Sequence, residues 1–87
     1  MAYTVELAPA AERELNALIK TARDRIIQHL LDLQAEPRPP GVKKLDDHTY
    51  RLRVGDYRIL YEIQDQVLIV LVLKVGHRRD VYRRRRR

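Results

Sequence analysis

Tyr50-Arg51-Leu52-Arg53-Val54 alternates strictly between apolar or aromatic residues and arginine, Gly55-Asp56 interrupts it, and Tyr57 to Ile63 alternates again. Period-two alternation on either side of a two-residue Gly-Asp break is the signature of a β-hairpin with a half-buried face. With Gly55-Asp56 in the turn, Val54 pairs with Tyr57, Arg53 with Arg58, Leu52 with Ile59 and Tyr50 with Tyr61. One face is then Tyr50, Leu52, Val54, Tyr57, Ile59, Tyr61 and Ile63, which must be covered by a second layer. The other carries Arg51, Arg53, Arg58, Leu60 and Glu62. Arginines directly opposite each other lower stability by a few tenths to about 1 kcal/mol. Such local rule-breaking marks a functional site; the alternative is a solvated open face with Glu62 as counter-charge.

The covering layer lies upstream. Tyr3, Val5 and Leu7 alternate with Thr4 and Glu6 as a short strand, and Pro9 stands where a helix can begin. Ala11, Leu15, Leu18, Ala22, Ile26, Leu30 and Leu33 recur at spacings of three and four, an amphipathic stripe. Thr21 with Asp24 inside the stripe reads as a cap, which divides it into two helices, and Pro37, Pro39, Pro40 and Gly41 stop the second at Glu36. After the hairpin, a turn near Asp65-Gln66 leads into Val67 to Val75, whose lack of alternation suggests a strand covered on both faces. The expected architecture is α+β: β-α-α-β-β-β, an antiparallel twisted sheet with a helical hairpin packed on one face.

An 87-residue chain holds one domain with one small core, which excludes a multi-domain enzyme. Its net charge of +6 is local: residues 78–87 carry seven Arg and one Asp, whereas residues 1–77 are neutral. A polyanionic partner is implied, nucleic acid first and an acidic protein segment second. The absence of Cys removes disulfides, thiol nucleophiles and thiolate zinc sites, and fits a reducing cytosol. His29, His48 and His77 have no ligand-pair spacing, so no metal is expected; His29 and His48 read as structural or solvent-facing. The longest apolar run, Val67 to Leu73, is seven residues, far short of the ~20 a membrane span needs.

Val75-Gly76-His77-Arg78-Arg79-Asp80-Val81-Tyr82 follows the last strand. If that strand lies beside the second hairpin strand, His77 and Arg78 emerge near the end where Arg53 and Arg58 sit. Four guanidiniums, an imidazole and a phenol would converge on one concave face. Arginines bind phosphate bidentately and stabilise the charge of a pentavalent transition state. An aromatic such as Tyr82 can stack on an unpaired base, and a 2′-hydroxyl makes RNA cleavable without a metal.

These residues, YRLRVGDYRILYEI (Tyr50 to Ile63), VGHRRDVYR (Val75 to Arg83) and Val42-Lys43-Lys44-Leu45, resemble the RelE branch of the RelE/ParE superfamily of bacterial type II toxins. The likeness spans the chain from the first strand to Tyr82. It implies a single RelE-like domain over residues 1–82 with a basic tail at 83–87. It further implies a cytoplasmic mRNA interferase, free of metal and cofactor, that cuts the message in the ribosomal A site by 2′-hydroxyl attack and so inhibits translation. Its partners would be ribosome, mRNA and a RelB-like antitoxin, the last in a hetero-oligomer.

By the same resemblance, Arg58 matches the hairpin arginine that stabilises the transition-state phosphate, Arg78 the C-terminal active-site arginine and Tyr82 the tyrosine that stacks on or orients the base. Arg51 and Arg53 fall where the archetype has two lysines. Because an arginine is effectively never deprotonated, a lysine general base cannot be transferred to them. His77 and Glu62 are the two candidates to accept the 2′-hydroxyl proton, and His77 has the alternative of merely ending a strand. Lys43 and Lys44 read as phosphate or ribosomal RNA contacts or as a solvated loop. Arg79, Arg83, Arg84 and the rest of the tail read as salt-sensitive RNA affinity or as a solubilising end. Two other functions fit the same chain: a ParE-like poison of DNA gyrase, which cuts no RNA, and a non-catalytic RNA-binding module.

Overall fold

The computed structural model describes residues 2–77. The elements are β1 (Thr4–Leu7), α1 (Pro9–Asn16), α2 (Lys20–Asp32), β2 (Lys43–Lys44), β3 (Thr49–Val54), β4 (Tyr57–Gln64) and β5 (Ile69–His77). Five strands form one sheet in the order β1-β5-β4-β3-β2. The hairpin register is the one the alternation predicts, from Tyr50 opposite Tyr61 to Val54 opposite Tyr57. Gly55 alone in the turn has a positive φ, 60°, the arrangement of a type II′ turn whose twist matches that of the flanking strands.

Two departures from the expected sheet concern its edges. It is mixed, because β1 runs parallel to β5, Thr4 opposite Ile69 through Leu7 opposite Val72. The segment from Pro37 to His48 is also not all linker, since Lys43 pairs with Arg51 and Lys44 with Tyr50 as a fifth strand. A strand's partner across the sheet is set by tertiary packing, and no local pattern in Thr4–Leu7 names β5.

The core lies between the helices and one sheet face. Ala11, Leu15, Ile26, Leu30 and Leu33 from the helical stripe meet Tyr50, Leu52, Val54, Ile59, Tyr61, Ile63, Val70, Val72 and Val75, all buried. β5 is not covered on both faces as expected. Val70, Val72 and Val75 are buried while Ile69, Leu71 and Leu73 are half-buried, and the register shifts where Leu60 faces Lys74 but Tyr61 faces Val72. Leu73 is the extra residue of a β-bulge, which reverses the in-out phase of everything after it.

Both helix boundaries also differ from the sequence expectation. Position Ile19, not Thr21, precedes the first turn of α2, with no side-chain cap, and Asp24 instead pairs with Lys20 at 2.6 Å. The helix ends at Asp32 because the next turn tightens: Gln34 N–H bonds the Leu31 carbonyl and Ala35 N–H that of Asp32, both i→i+3. The Gln34 carbonyl then accepts from Tyr3 N–H at 2.8 Å, anchoring β1.

The proline linker is tied down at its start. The buried Tyr61 hydroxyl donates to the Pro37 carbonyl at 2.7 Å, and burial raises its pKa above the usual phenol value. Arg38 lies over the Tyr50 ring, 5.4 Å from its centroid, donates to the Tyr50 hydroxyl at 3.1 Å and pairs with Asp65 at 2.8 Å. These contacts deliver Lys43 to the edge of β3.

Candidate active site

Reading across the sheet gives two rows on the face away from the helices. Lys43, Arg51, Leu60 and Lys74 are successive neighbours on β2, β3, β4 and β5, and Arg53, Arg58 and Gly76 form the next row. Val54 and Tyr57 flank the two-residue turn and are therefore a hydrogen-bonded pair, which makes Arg53 and Arg58 a non-hydrogen-bonded pair with side chains in the closer of the two spacings. Arg58 is 4% exposed, Arg51 half-buried and Arg53 exposed. Cations brought together in partly desolvated surroundings favour an anion held between them. Gly76, opposite Arg58, contributes no side chain to this row.

Lys74 is a cation of this face that the amino-acid pattern does not reveal, because the bulge at Leu73 hides which side it takes. Its ammonium donates to Glu14 of α1, and the other Glu14 oxygen accepts the Val75 N–H at 2.9 Å. β1 pairs with β5 only as far as Val72, so Glu14 closes the strand edge that β1 leaves open. Glu14→Ala strands both donors and is expected to lower unfolding stability by about 1–3 kcal/mol. The urea midpoint measures this, and a Lys74→Met background should recover part of the loss.

The register therefore assembles Lys43, Arg51, Arg53 and Arg58 and does not add His77. That residue faces Tyr57, with the rings edge to face at 5.8 Å, and Tyr57 packs against the core. His77 thus ends the strand near Arg58 but on the helix side, a correction to the expected convergence on one face. Lys44, opposite Tyr50, likewise alternates away from the arginines. Glu62 is on their face, opposite Thr49, four residues or about 13 Å along β4 from Arg58. Arg78, Arg79, Tyr82, Arg83 and Arg84 lie outside the described residues. No group of three or more metal-ligating side chains occurs among the described residues, and no helix among them is long and apolar enough to cross a membrane.

Comparison with known proteins agrees with the fold that carries this face. Residues 5–82 match the family model described as ParE toxin of type II toxin-antitoxin system, parDE. Toxin RelG of Mycobacterium tuberculosis is 36% identical over 87 residues, covering 97% of this chain and 100% of that one. The mRNA interferase toxin RelE of Escherichia coli is 30% identical over 81 residues, covering 90% and 85%. Among solved structures, the toxin–antitoxin complex RelBE2 of M. tuberculosis superposes with a TM-score of 0.79 at 32% identity, covering 88% of this chain and 99% of that one. The archaeal RelE–RelB complex of Pyrococcus horikoshii gives 0.82 at 29%, covering 90% and 97%. With the hairpin register, the helical layer and these likenesses together, the chain belongs to the RelE/ParE superfamily of type II toxin–antitoxin toxins.

Proposed function

We propose that this toxin is a ribosome-dependent endoribonuclease that cuts mRNA in the A site. The observation that carries the reading is the Arg53–Arg58 opposition, flanked by Arg51 and Lys43 on one sheet face. That arrangement is unfavourable alone and favourable around a phosphodiester whose charge grows in the transition state. Arg58 is the principal stabiliser, Arg51 and Arg53 hold the neighbouring phosphates, and by resemblance Arg78 completes the clamp while Tyr82 stacks on the base. The nucleophile is the substrate's 2′-hydroxyl. Attack on the adjacent phosphorus forms the 2′-O–P bond as the P–O5′ bond breaks, leaving a 2′,3′-cyclic phosphate and a 5′-hydroxyl, with the proton lost by the 2′-oxygen made up at the departing 5′-oxygen; the path needs only charge stabilisation and proton transfer. Toxin treated with EDTA and then freed of the chelator is therefore expected to cut message on Mg²⁺-containing ribosomes as well as untreated toxin does.

Of the two candidate proton acceptors, Glu62 shares the arginine face while His77 turns to Tyr57. Arginine electrostatics accordingly supplies most of the acceleration, with His77 confined to shaping the strand end.

The complexes formed by the M. tuberculosis and P. horikoshii relatives support a RelB-like antitoxin as inhibitor, in a hetero-oligomer; ribosome and mRNA as targets place the protein in the cytoplasm. A second reading, poisoning of DNA gyrase, is favoured by the ParE description of the matching family model. Induction in a bacterium followed by primer extension separates the two. Cuts confined to translated frames, lost when the start codon is removed, are expected. Intact message accompanied by DNA breaks would select the gyrase reading, and unhindered growth would select a binding module.

A further inference from the structure

The edge of β3 beside the arginine face carries a feature the cleavage reading does not use. Ile63 N–H bonds the His48 carbonyl at 3.0 Å, whereas the Thr49 carbonyl turns the other way to Leu45 N–H at 2.8 Å. Odd-numbered residues of β3 thus direct their main-chain groups away from β4. β2 satisfies them only as far as Arg51. The position opposite Arg53 is lost to a turn, where Val42 N–H bonds the Pro39 carbonyl at 3.2 Å. Among the described residues, Arg53 N–H and C=O are left with no backbone partner.

Beside this edge, between the end of α2, the proline linker and β3, lies a cavity of about 230 Å³. Leu33, Leu52, Pro39 and Pro40 supply apolar walls, Asp32 and Glu36 supply carboxylates, and His29 supplies an imidazole. Arg53 lines the cavity too, although its position on β3 belongs to the arginine row opposite Arg58. One residue therefore offers a main-chain donor and acceptor to whatever enters the cavity and a guanidinium to a phosphate beside it.

We propose that this cavity binds an unpaired nucleobase carrying an exocyclic amino group, from the RNA strand whose phosphates lie on the arginine face. Apolar walls suit a heterocycle, the Arg53 N–H and C=O match a ring nitrogen and an adjacent amino group, and a carboxylate accepts further amino hydrogens. Prolines contribute no N–H, so the edge contacts fall to Arg53 and to the His29 imidazole. An added peptide strand fits less well. The open edge is one residue long, closed on one side by the Pro39–Val42 turn and on the other by the hairpin tip, and strand addition needs a row of main-chain bonds. The inference rests on the arginine face being an RNA surface.

The test is fluorescence anisotropy of labelled hexaribonucleotides, oligo-A against oligo-U, with the intact chain and an Asp32→Asn/Glu36→Gln variant at fixed salt. The intact chain is expected to prefer oligo-A, and the variant to lose about tenfold of that preference while binding oligo-U equally or more tightly. Removing two negative charges from a basic protein strengthens phosphate binding whatever the base, so the two affinities move in opposite directions only if the carboxylates read the base. Equal strengthening for both oligomers overturns the base site and leaves the RNA surface standing. Failure to bind either oligomer overturns the RNA surface itself. A perturbation of the Arg53 amide resonance by an extended antitoxin peptide, with none from oligo-A, would assign the edge to strand pairing instead.

Discussion

Arg58→Ala is expected to reduce ribosome-dependent mRNA cleavage about 10²–10³-fold, the loss that follows removal of one preorganised group aimed at developing charge. Toxicity on induction should disappear with it. The companion variant Arg58→Met separates chemistry from folding. Methionine keeps most of the apolar stem in a position that is 4% exposed while removing the charge opposite Arg53. The substitution removes both the like-charge opposition to Arg53 and the guanidinium's bond to the Tyr57 carbonyl at 3.5 Å, so Arg58→Met should remain folded and still cut no message. A folded, inactive Arg58→Met assigns the loss to chemistry and not to folding. An Arg58→Met that still kills cells at parental rates would remove Arg58 from the mechanism.

The same strand pair shows how far an alternating pattern of amino acids can specify a site. Tyr50 to Ile63 alternates on both sides of Gly55-Asp56 with Leu60 as its one exception, so a single register puts every remaining apolar residue on the core face, and the opposed arginines follow from it. The phase of β5 is not legible in that way. Counting in twos from Val70 and Val72 puts Lys74 and Gly76 among the core residues and His77 on the arginine face. The bulge at Leu73 reverses this, burying Val75, turning His77 to Tyr57 and giving Lys74 to the arginine face. A bulge in a run of Val, Leu and Ile leaves no compositional trace, since every residue in the run tolerates burial. β2 is hidden for a different reason: two lysines have no alternation to display, and their strand exists because Arg51 and Tyr50 offer a template. Charge alone marks Lys43 as a phosphate contact, and pairing with Arg51 gives it a place in the row.

That edge depends on the linker, which makes Tyr61 the residue whose loss should be felt farthest. Its ring is fully buried, stacks on Tyr50 at 5.9 Å between centroids, and its hydroxyl holds the Pro37 carbonyl. Tyr61→Ala removes the ring from the middle of the core and is expected to cost about 3–5 kcal/mol, enough to unfold much of a domain whose total stability is of order 5–15 kcal/mol. Tyr61→Phe keeps the ring and deletes only the donor, so its cost should be about 1 kcal/mol, with a local signature. Amides of Lys43 and Leu45, which face β3, should exchange faster in Tyr61→Phe because the linker that leads into β2 has lost its first anchor, while those of Arg58 and Ile59, held between β3 and β5, should be unchanged. Uniform acceleration across the sheet would mean that the hydroxyl stabilises the whole domain and that β2 does not depend on it.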